Sequence, residues 1–218
     1  MFRSLETILF DFDGVITDSV NVKTKAFANI YEPYGKEIVD KVIKHHLANG
    51  GVSRFKKFKV YHKDFLGIDL SNKQIQKMAA EFHDIVVQKV IDAPFIPGAL
   101  EFIKKHYRDI PLYIISATPY DEINEIVNKK QLKKYFNGIY GSPTNKIEWV
   151  ESIINKNHYK RNSVVFIGDA LADYEAAEKN KIHFIARVDV KENNIFNNKN
   201  ISGVINNLFE LDKIIHFY

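Results

Sequence analysis

The sequence predicts an α/β protein in which a doubly wound parallel sheet carries an inserted all-helical segment. Three observations lead to this fold class. A short apolar run near the N-terminus ends in two carboxylates, residues 20–94 show helical periodicity without a convincing strand, and strand-like and helix-like patterns alternate from residue 96 onward. This alternation is typical of a parallel sheet with helices on both faces, in which ligands bind beyond the carboxyl ends of the strands.

The first strand is predicted within residues 5–10, because the run LETILF is mostly apolar and Gly14 interrupts the pattern soon afterwards. Four stretches of helical periodicity follow, at residues 23–35, 37–48, 53–65 and 72–91. Pro94 and Pro97 mark the return of the chain to the sheet. We therefore expect residues 1–19 and 95–218 to form the sheet domain and residues 20–94 to form a separate helical domain.

The alternating part of the chain supplies the remaining elements. Strands are predicted at residues 111–116, 138–142, 163–169 and 183–188, with a short strand near residue 203. Helices are predicted at residues 97–107, 119–136, 147–158 and 170–180, with a short one near the C-terminus. Each strand followed by a helix suits a parallel crossover.

Composition limits the function classes. With 218 residues, 45% of them hydrophobic, the chain can bury one sizeable core with a smaller satellite. The net charge of +4 is not concentrated in one block, so a nucleic-acid partner is not expected. The absence of cysteine excludes disulfides and thiolate catalysis. No apolar stretch reaches membrane-spanning length and the N-terminus is unlike a signal peptide, so we expect a soluble, cytoplasmic protein with no membrane partner.

Two carboxylates, Asp11 and Asp13, directly follow the first predicted strand. On an extended backbone, side chains two positions apart leave the same face, so these charges repel unless a cation lies between them. Polar residues end or follow other predicted core strands as well: Ser116, Lys146, Asp169 and Asp173. In a doubly wound sheet all six residues would converge at one edge.

Each of these residues also has an interpretation without chemistry. Asp11 and Asp13 would suit a turn beside glycine, Ser116 and Asp169 could cap helices, and Lys146 could be a surface charge. Their occurrence together, in this order, favours a functional site over these alternatives.

The motifs DFDGV, LYIIS and GDALAD, with Lys146 between the last two, resemble in order and spacing those of the haloacid dehalogenase superfamily. The likeness extends over the whole chain, and the helical segment is similar to the cap that members carry between their first and second motifs. The resemblance implies a Rossmann-like core, a helical cap, and a phosphatase or phosphomutase that uses Mg²⁺. One departure is Lys23, at a place where members often carry a histidine.

The resemblance assigns to Asp11 the role of the nucleophile that forms an aspartyl phosphate, and Asp13 would protonate the leaving oxygen and then activate water. Mg²⁺ prefers oxygen ligands, so Asp11, Asp169 and the Asp13 carbonyl could bind it. Asp173, one helical turn beyond Asp169, is predicted to support these ligands or to add a carboxylate on the metal side.

The transferring phosphoryl group is predicted to contact Ser116, Ala117 and Lys146. Backbone N–H groups after Ser116 would form an anion site at a helix start, with Thr118 as the N-cap and Pro119 in the first turn. Lys146 would neutralise the charge that develops on the phosphoryl oxygens.

Within the cap, the stretch NGGVSRFKKF is the candidate for substrate selection. Gly50 and Gly51 allow a flexible turn, and Arg54, Lys56 and Lys57 could face an anionic substrate from above. The alternative is a basic helix face exposed to solvent. We predict that Arg54 contacts the substrate.

The leading hypothesis is therefore a Mg²⁺-dependent phosphatase that acts through an aspartyl phosphate on a small phosphorylated metabolite, for example a sugar phosphate. A sugar phosphomutase is the alternative, because it would need the same Asp11 and Asp13. The presence of Asp13 disfavours dehalogenase or phosphonate-cleaving chemistry. A receiver-like regulatory domain or a silent binding protein is disfavoured by the large helical insert and the complete motif set.

Overall fold

The computed structural model of the protein describes residues 5–190 and 194–215. In this part of the chain six strands form one parallel sheet, in the order β3-β2-β1-β4-β5-β6. The strands are β1 Thr7–Phe10, β2 Leu112–Pro119, β3 Gly138–Ser142, β4 Val164–Gly168, β5 His183–Arg187 and β6 Gly203–Ile205. The chain winds outward from β1 to β3 and then returns to the other side of β1, so the predicted doubly wound fold class is confirmed.

Four α-helices lie between β1 and the rest of the sheet: α1 Val20–Tyr31, α2 Lys36–Ala48, α3 Arg54–Val60 and α4 Asn72–Asp92. A π-helical turn, Tyr61–Leu66, extends α3. Aromatic side chains fill the centre of this insert; the Phe27 ring lies 4.5 Å from the Phe82 ring and 5.6 Å from those of Phe58 and Tyr61, centroid to centroid. The helical periodicity of residues 20–94 thus corresponds to buried faces.

The helices of the sheet region are α5 Ala99–His106, α6 Tyr120–Lys129, α7 Lys146–Asn157, α8 Leu171–Lys179 and α9 Leu208–Ile214. Alternate residues of β1 point to opposite faces of the sheet, so Ile8 and Phe10 pack in one apolar cluster and Leu9 in another. The first cluster also contains the insert, whereas the second contains residues of α7 and α8. Among the described residues, no helix is both long and apolar enough to cross a membrane.

The stretch predicted as one helix over residues 119–136 is different in the structure. Strand β2 continues to Pro119, α6 ends at Lys129, and Gln131 turns the chain with a φ of +59°. The expected cap at Thr118 is also wrong, because Pro119 is the N-cap and no side chain caps α6. The cap was misplaced because Thr118 still lies in β2, where its hydroxyl group forms hydrogen bonds with the side chains of Lys23 and Asp13.

The two chain segments that connect the insert to the sheet region are hydrogen-bonded to each other. Thr17 and Phe95 form an antiparallel bridge, and the Asp18 N–H donates to the Pro94 carbonyl at 2.9 Å. The two crossings therefore lie side by side, directly behind the DFDGV motif. The domain boundary expected at residues 19/20 and 94/95 falls at these crossings and stays a prediction.

Candidate active site

Asp11 occupies the centre of the sheet's carboxyl edge. It follows β1 at once, and its N–H donates to the Ile167 carbonyl of β4 at 2.9 Å. Its side chain is 5% exposed. The carboxylate Oδ1 accepts the Phe12 N–H at 2.7 Å and lies 2.8 Å from Lys146 Nζ. No hydrogen bond from the described residues reaches Oδ2, so this oxygen is available for ligation or attack.

Lys146 is the first residue of α7, whose N-cap Asn145 accepts the Glu148 N–H through its side chain at 3.0 Å. Its ammonium group is buried and lies 2.5 Å from Asp173 Oδ1 as well as beside Asp11. Burial alone would lower the pKa of Lys146, but the two carboxylates outweigh it and raise that pKa. Lys146 therefore stays charged.

Three carboxylates meet beside this single ammonium group. Oxygen atoms of Asp11, Asp169 and Asp173 all lie within 4.8 Å of one another. Burial, more than the neighbouring charges, raises the pKa of Asp11 to about 7 and that of Asp169 well above its usual range. A Cβ atom at Gly14 would lie 2.0 Å from Asp169 Oδ2, so the glycine of DFDGV leaves room for this carboxylate. Three acidic groups thus share one ammonium group, and burial favours the protonated forms of two of them.

Asp13 lies in a separate network with residues of the insert and of β2. Its Oδ1 accepts from Ser19 Oγ at 2.6 Å, and its Oδ2 accepts from Lys23 Nζ at 2.5 Å and Thr118 Oγ1 at 3.2 Å. Burial would raise the pKa of Asp13, but the Lys23 charge and these three hydrogen bonds together lower it. The Asp13 carboxylate is thus held in position by hydrogen bonds, and its cationic partner, Lys23, belongs to α1.

The end of β2 forms another side of the site. Ser116 is buried, and its Oγ accepts the Thr118 N–H at 3.1 Å, which fixes the turn of the backbone there. Ala117 and Thr118 line a cavity of about 640 Å³, together with Asp11, Asp13 and Asp169. Ser116 itself is placed behind that surface.

The insert closes over this cavity. Its Gly50–Gly51 turn contacts the N-terminal end of α8: Cβ atoms at these glycines would lie 3.0 Å from those of Ala170 and Ala172, respectively. A Cβ at Gly51 would also lie 3.6 Å from Lys146 Nζ. Residues of the insert and of the strand ends therefore line the same cavity.

Arg54 lines the cavity wall, but its guanidinium group is held by the sheet region. It forms a buried ion pair with Glu122 of α6, whose other oxygen lies 2.8 Å from His83 Nδ1. Arg54 also lies over the Phe82 ring, 4.4 Å from its centroid. The structure thus places Arg54 between the insert and α6, and its contact with substrate stays a prediction.

Comparison with known proteins assigns the family. Residues 8–187, most of the chain, match the sequence model of the haloacid dehalogenase-like hydrolases. The chain belongs to this family. The predicted family is confirmed, and the matched region includes every residue proposed for the site.

Two curated proteins are similar in sequence to this haloacid dehalogenase-like hydrolase. A phosphorylated carbohydrates phosphatase from Thermotoga maritima is 28% identical over 133 residues, which is 61% of this chain and 59% of that protein. A phosphoglycolate phosphatase from Aliivibrio fischeri is 23% identical over 198 residues, 85% of each chain.

Solved structures share the fold. The YfnB hydrolase of Bacillus subtilis, determined with bound magnesium, superposes with a TM-score of 0.73 at 16% identity, over 97% of this chain and 99% of that one. A β-phosphoglucomutase from Clostridium difficile has a TM-score of 0.76 at 20% identity, over 95% and 93% of the two chains. These likenesses support the sheet with its helical insert.

Of the predicted site residues of this hydrolase, five lie together at the sheet edge: Asp11, Asp13, Lys146, Asp169 and Asp173. Their individual roles stay predictions. The sequence interpretation missed Ser19 and Thr118 as partners of Asp13. For Thr118 a signal exists, since in an extended strand it shares a face with Ser116, two positions earlier.

Proposed function

We propose that the protein is a Mg²⁺-dependent phosphohydrolase that cleaves a small phosphorylated metabolite through an aspartyl phosphate on Asp11. The observation that supports this most is the state of the Asp11 carboxylate. One of its oxygens is fixed by Phe12 N–H and Lys146, while the other is free of hydrogen bonds from the described residues and belongs to the cavity wall. An oriented carboxylate of this kind can attack phosphorus.

The residues present fit a divalent cation. Asp11, Asp169 and Asp173 can offer oxygen ligands that lie within 4.8 Å of one another, and no hydrogen bond from the described residues reaches the Asp169 carboxylate. Hard oxygen donors are the ligands that Mg²⁺ prefers, and a bound cation would favour the ionised forms of Asp11 and Asp169, which burial disfavours. When bound, Mg²⁺ would neutralise these carboxylates and the charge on the transferring phosphoryl oxygens.

In the first half of the reaction, an Asp11 oxygen attacks phosphorus and the bond from phosphorus to the ester oxygen breaks. Asp13 gives a proton to the departing alkoxide, which leaves as an alcohol. Burial favours the protonated form of Asp13, but Lys23 and the hydrogen bonds to Asp13 outweigh burial and lower its pKa, so the protonated form is the minor one at neutral pH. Lys146 lies next to the attacking carboxylate and stabilises negative charge on the phosphoryl oxygens.

In the second half, water attacks the aspartyl phosphate while the Asp13 carboxylate accepts its proton. The phosphorus–Asp11 bond breaks, inorganic phosphate leaves, and Asp11 is restored. Ser19, Lys23 and Thr118 hold the Asp13 carboxylate in one position for both proton transfers. The Gly50–Gly51 turn over the site limits the access of other water molecules.

The substrate class is supported by the relatives. The two curated proteins are named as phosphatases of phosphorylated carbohydrates and of phosphoglycolate, both small phosphate monoesters. A cavity of about 640 Å³ has the size of a site for a small metabolite. Phosphomutase activity stays an alternative, since it would use the same two aspartates.

The test is hydrolysis of p-nitrophenyl phosphate and of a panel of sugar phosphates by the purified protein, with phosphate release and sugar isomers measured together. We expect phosphate release that requires Mg²⁺ and stops with a chelator. Asp11→Asn, shown to be folded by circular dichroism, should have no detectable turnover and no hydroxylamine-sensitive phosphorylated intermediate after rapid quenching. Full activity of the metal-stripped protein, or wild-type turnover by Asp11→Asn, would contradict the proposal.

A further inference from the structure

A lysine and a histidine of the insert form a buried pair in the cavity wall. Lys57 of α3 and His46 of α2 both line the cavity, and each is less than a tenth exposed. Lys57 Nζ lies 2.8 Å from His46 Nδ1 and 3.4 Å from the His46 carbonyl oxygen. The lysine also lies 5.7 Å from the centre of the Phe27 ring.

Lys57 differs from the other cations that line this space. Lys23 is paired with Asp13, Arg54 with Glu122, and Arg187 with Asp189. No carboxylate of the described residues lies within ion-pair distance of Lys57, and its polar partner is a histidine. Burial of an ammonium group is costly unless it is paired, so a charged Lys57 calls for an anion that the described residues do not provide.

The pair also has hydrogen-bond donors that the described residues do not use. An ammonium group has three N–H bonds, and the contacts to His46 account for two of them. A charged ammonium group can only donate, so His46 Nδ1 accepts from it and the proton of the neutral ring is on Nε2, for which the described residues provide no acceptor. Two donors on one wall of the cavity are therefore available to a ligand.

We propose that Lys57 and His46 form a second anion site, which binds a carboxylate or a second phosphate carried by the leaving alcohol of the substrate. This inference rests on the proposed phosphohydrolase function and narrows its substrate class to phosphate monoesters with another anionic group. The phosphoryl group occupies the strand ends beside Asp11, and the second anion occupies the insert wall.

Electrostatics within the cavity supports this assignment. Burial and, less strongly, the positive charge of Lys23 lower the pKa of Lys57 to about 7, although the negative charge of Asp13 acts in the opposite direction. Burial, more than the Lys57 charge, lowers the pKa of His46 to about 3, so this ring is neutral at physiological pH. An anion bound between Lys57 and His46 favours the charged form of the lysine and compensates its burial.

The experiment compares pairs of phosphate esters, one with and one without a second anionic group, in protein variants with substitutions in α3. Phosphoglycolate and ethyl phosphate share a two-carbon leaving group and differ by the carboxylate, while propane-1,3-diol bisphosphate and propyl phosphate test a second phosphate. The ratio of kcat/KM for the charged over the uncharged ester is measured in the wild type, in Lys57→Met, and in Lys56→Met, whose parent side chain is exposed on the same helix. The wild-type ratio cancels differences in intrinsic reactivity.

We expect Lys57→Met to lower this ratio by about tenfold to hundredfold for one or both pairs, because a hydrogen-bonded charge pair with the ligand is lost. Lys56→Met should keep the wild-type ratio, and Lys57→Arg, which keeps the charge, should fall between them. If Lys57→Met melts at a lower temperature, Lys57→Gln replaces it. An unchanged ratio, or an equal loss for both members of each pair, would overturn the proposal.

Failure of the proposed function is distinguishable from failure of this site. If no ester is hydrolysed by the wild type, the phosphohydrolase proposal fails, and calorimetric titration of phosphoglycolate and ethyl phosphate then decides the role of Lys57. Tighter binding of phosphoglycolate that is lost in Lys57→Met supports the site. Equal binding of both esters contradicts it.

Discussion

The two walls of the cavity carry charge in different ways. On the sheet side, three acidic side chains surround Lys146, so acidic groups outnumber the ammonium group. On the helical side, Lys57 has no carboxylate partner among the described residues, and its neighbour His46 is a neutral ring. The first wall suits a cation and a phosphoryl group, and the second suits an anion. In the proposed function, the sheet wall provides the chemistry and the insert wall selects the substrate.

After Asp11→Asn, the largest effect should come from Asp13, the proposed proton-transfer residue of the sheet wall. We expect Asp13→Asn to lower kcat by about 10² to 10⁴, because an amide neither donates the proton to the leaving alcohol nor accepts one from water. The variant should still form the phosphorylated Asp11 with an activated aryl phosphate, whose leaving group needs no proton. Rapid-quench kinetics with p-nitrophenyl phosphate measures both steps. A wild-type kcat would remove Asp13 from the mechanism.

A buried ion pair between Arg54 and Glu122 holds the insert to α6 at the boundary between the two walls. We expect its loss to cost nearly as much free energy of unfolding as Asp13→Asn costs in activation free energy. Glu122→Gln leaves the Arg54 guanidinium buried without a counterion, so we expect the free energy of unfolding to fall by about 3 to 5 kcal/mol. Denaturant titration measures this change.

The matched control for that variant is Asp40→Asn. It breaks the pair of Lys36 with Asp40 on α2, whose side chains are 87% and 59% exposed, and should cost less than about 1 kcal/mol. Equally small losses in both variants would mean that the Arg54 pair is hydrated in solution and does not fix the insert to α6.

A smaller effect is expected from alanine at Gly51 or Gly67, and comparing the two variants separates contact of the insert with α8 from backbone strain. Gly51 and Gly67 have φ values of +71° and +70°, but a Cβ at Gly51 would lie 3.0 Å from Ala172 Cβ, whereas one at Gly67 has nothing within 4 Å. Alanine at either position should cost about 1 to 2 kcal/mol of stability through the left-handed backbone.

Only Gly51→Ala should also raise KM, by about fivefold, because closing against α8 then costs roughly 1 kcal/mol more. Steady-state kinetics of the two folded variants tests this difference. A similar KM for both would show that the Gly50–Gly51 turn does not approach α8 when substrate binds.

The residues of the sheet wall could be predicted from the sequence, whereas those of the insert wall could be predicted only in part. Asp11 and Asp169 follow apolar strands, and the topology of a doubly wound sheet brings such strand ends together whatever their distance along the chain. The pairing of Arg54 with Glu122 has no such rule behind it, because it depends on how the insert packs against α6. Sequence reasoning therefore assigned Arg54 to the substrate.

Which lysine of α3 is buried could have been read from helical spacing. Arg54, Lys57 and Phe58 are three and four positions apart and share one face, while Lys56 and Lys59 lie on the exposed side. The partner of Lys57 was not predictable, since His46 comes from another helix and the contact is set by the crossing of α2 and α3.

The bridge between Thr17 and Phe95 has a consequence for how this chain can vary over generations. The two ends of the insert lie side by side, so the sheet requires only that they meet, and the number of residues between them is not constrained by strand pairing. Lengthening, shortening or exchanging the helices leaves every crossover of the sheet as it is. If the insert selects the substrate, as we propose, a lineage with this architecture can change what it recognises and still inherit its reaction.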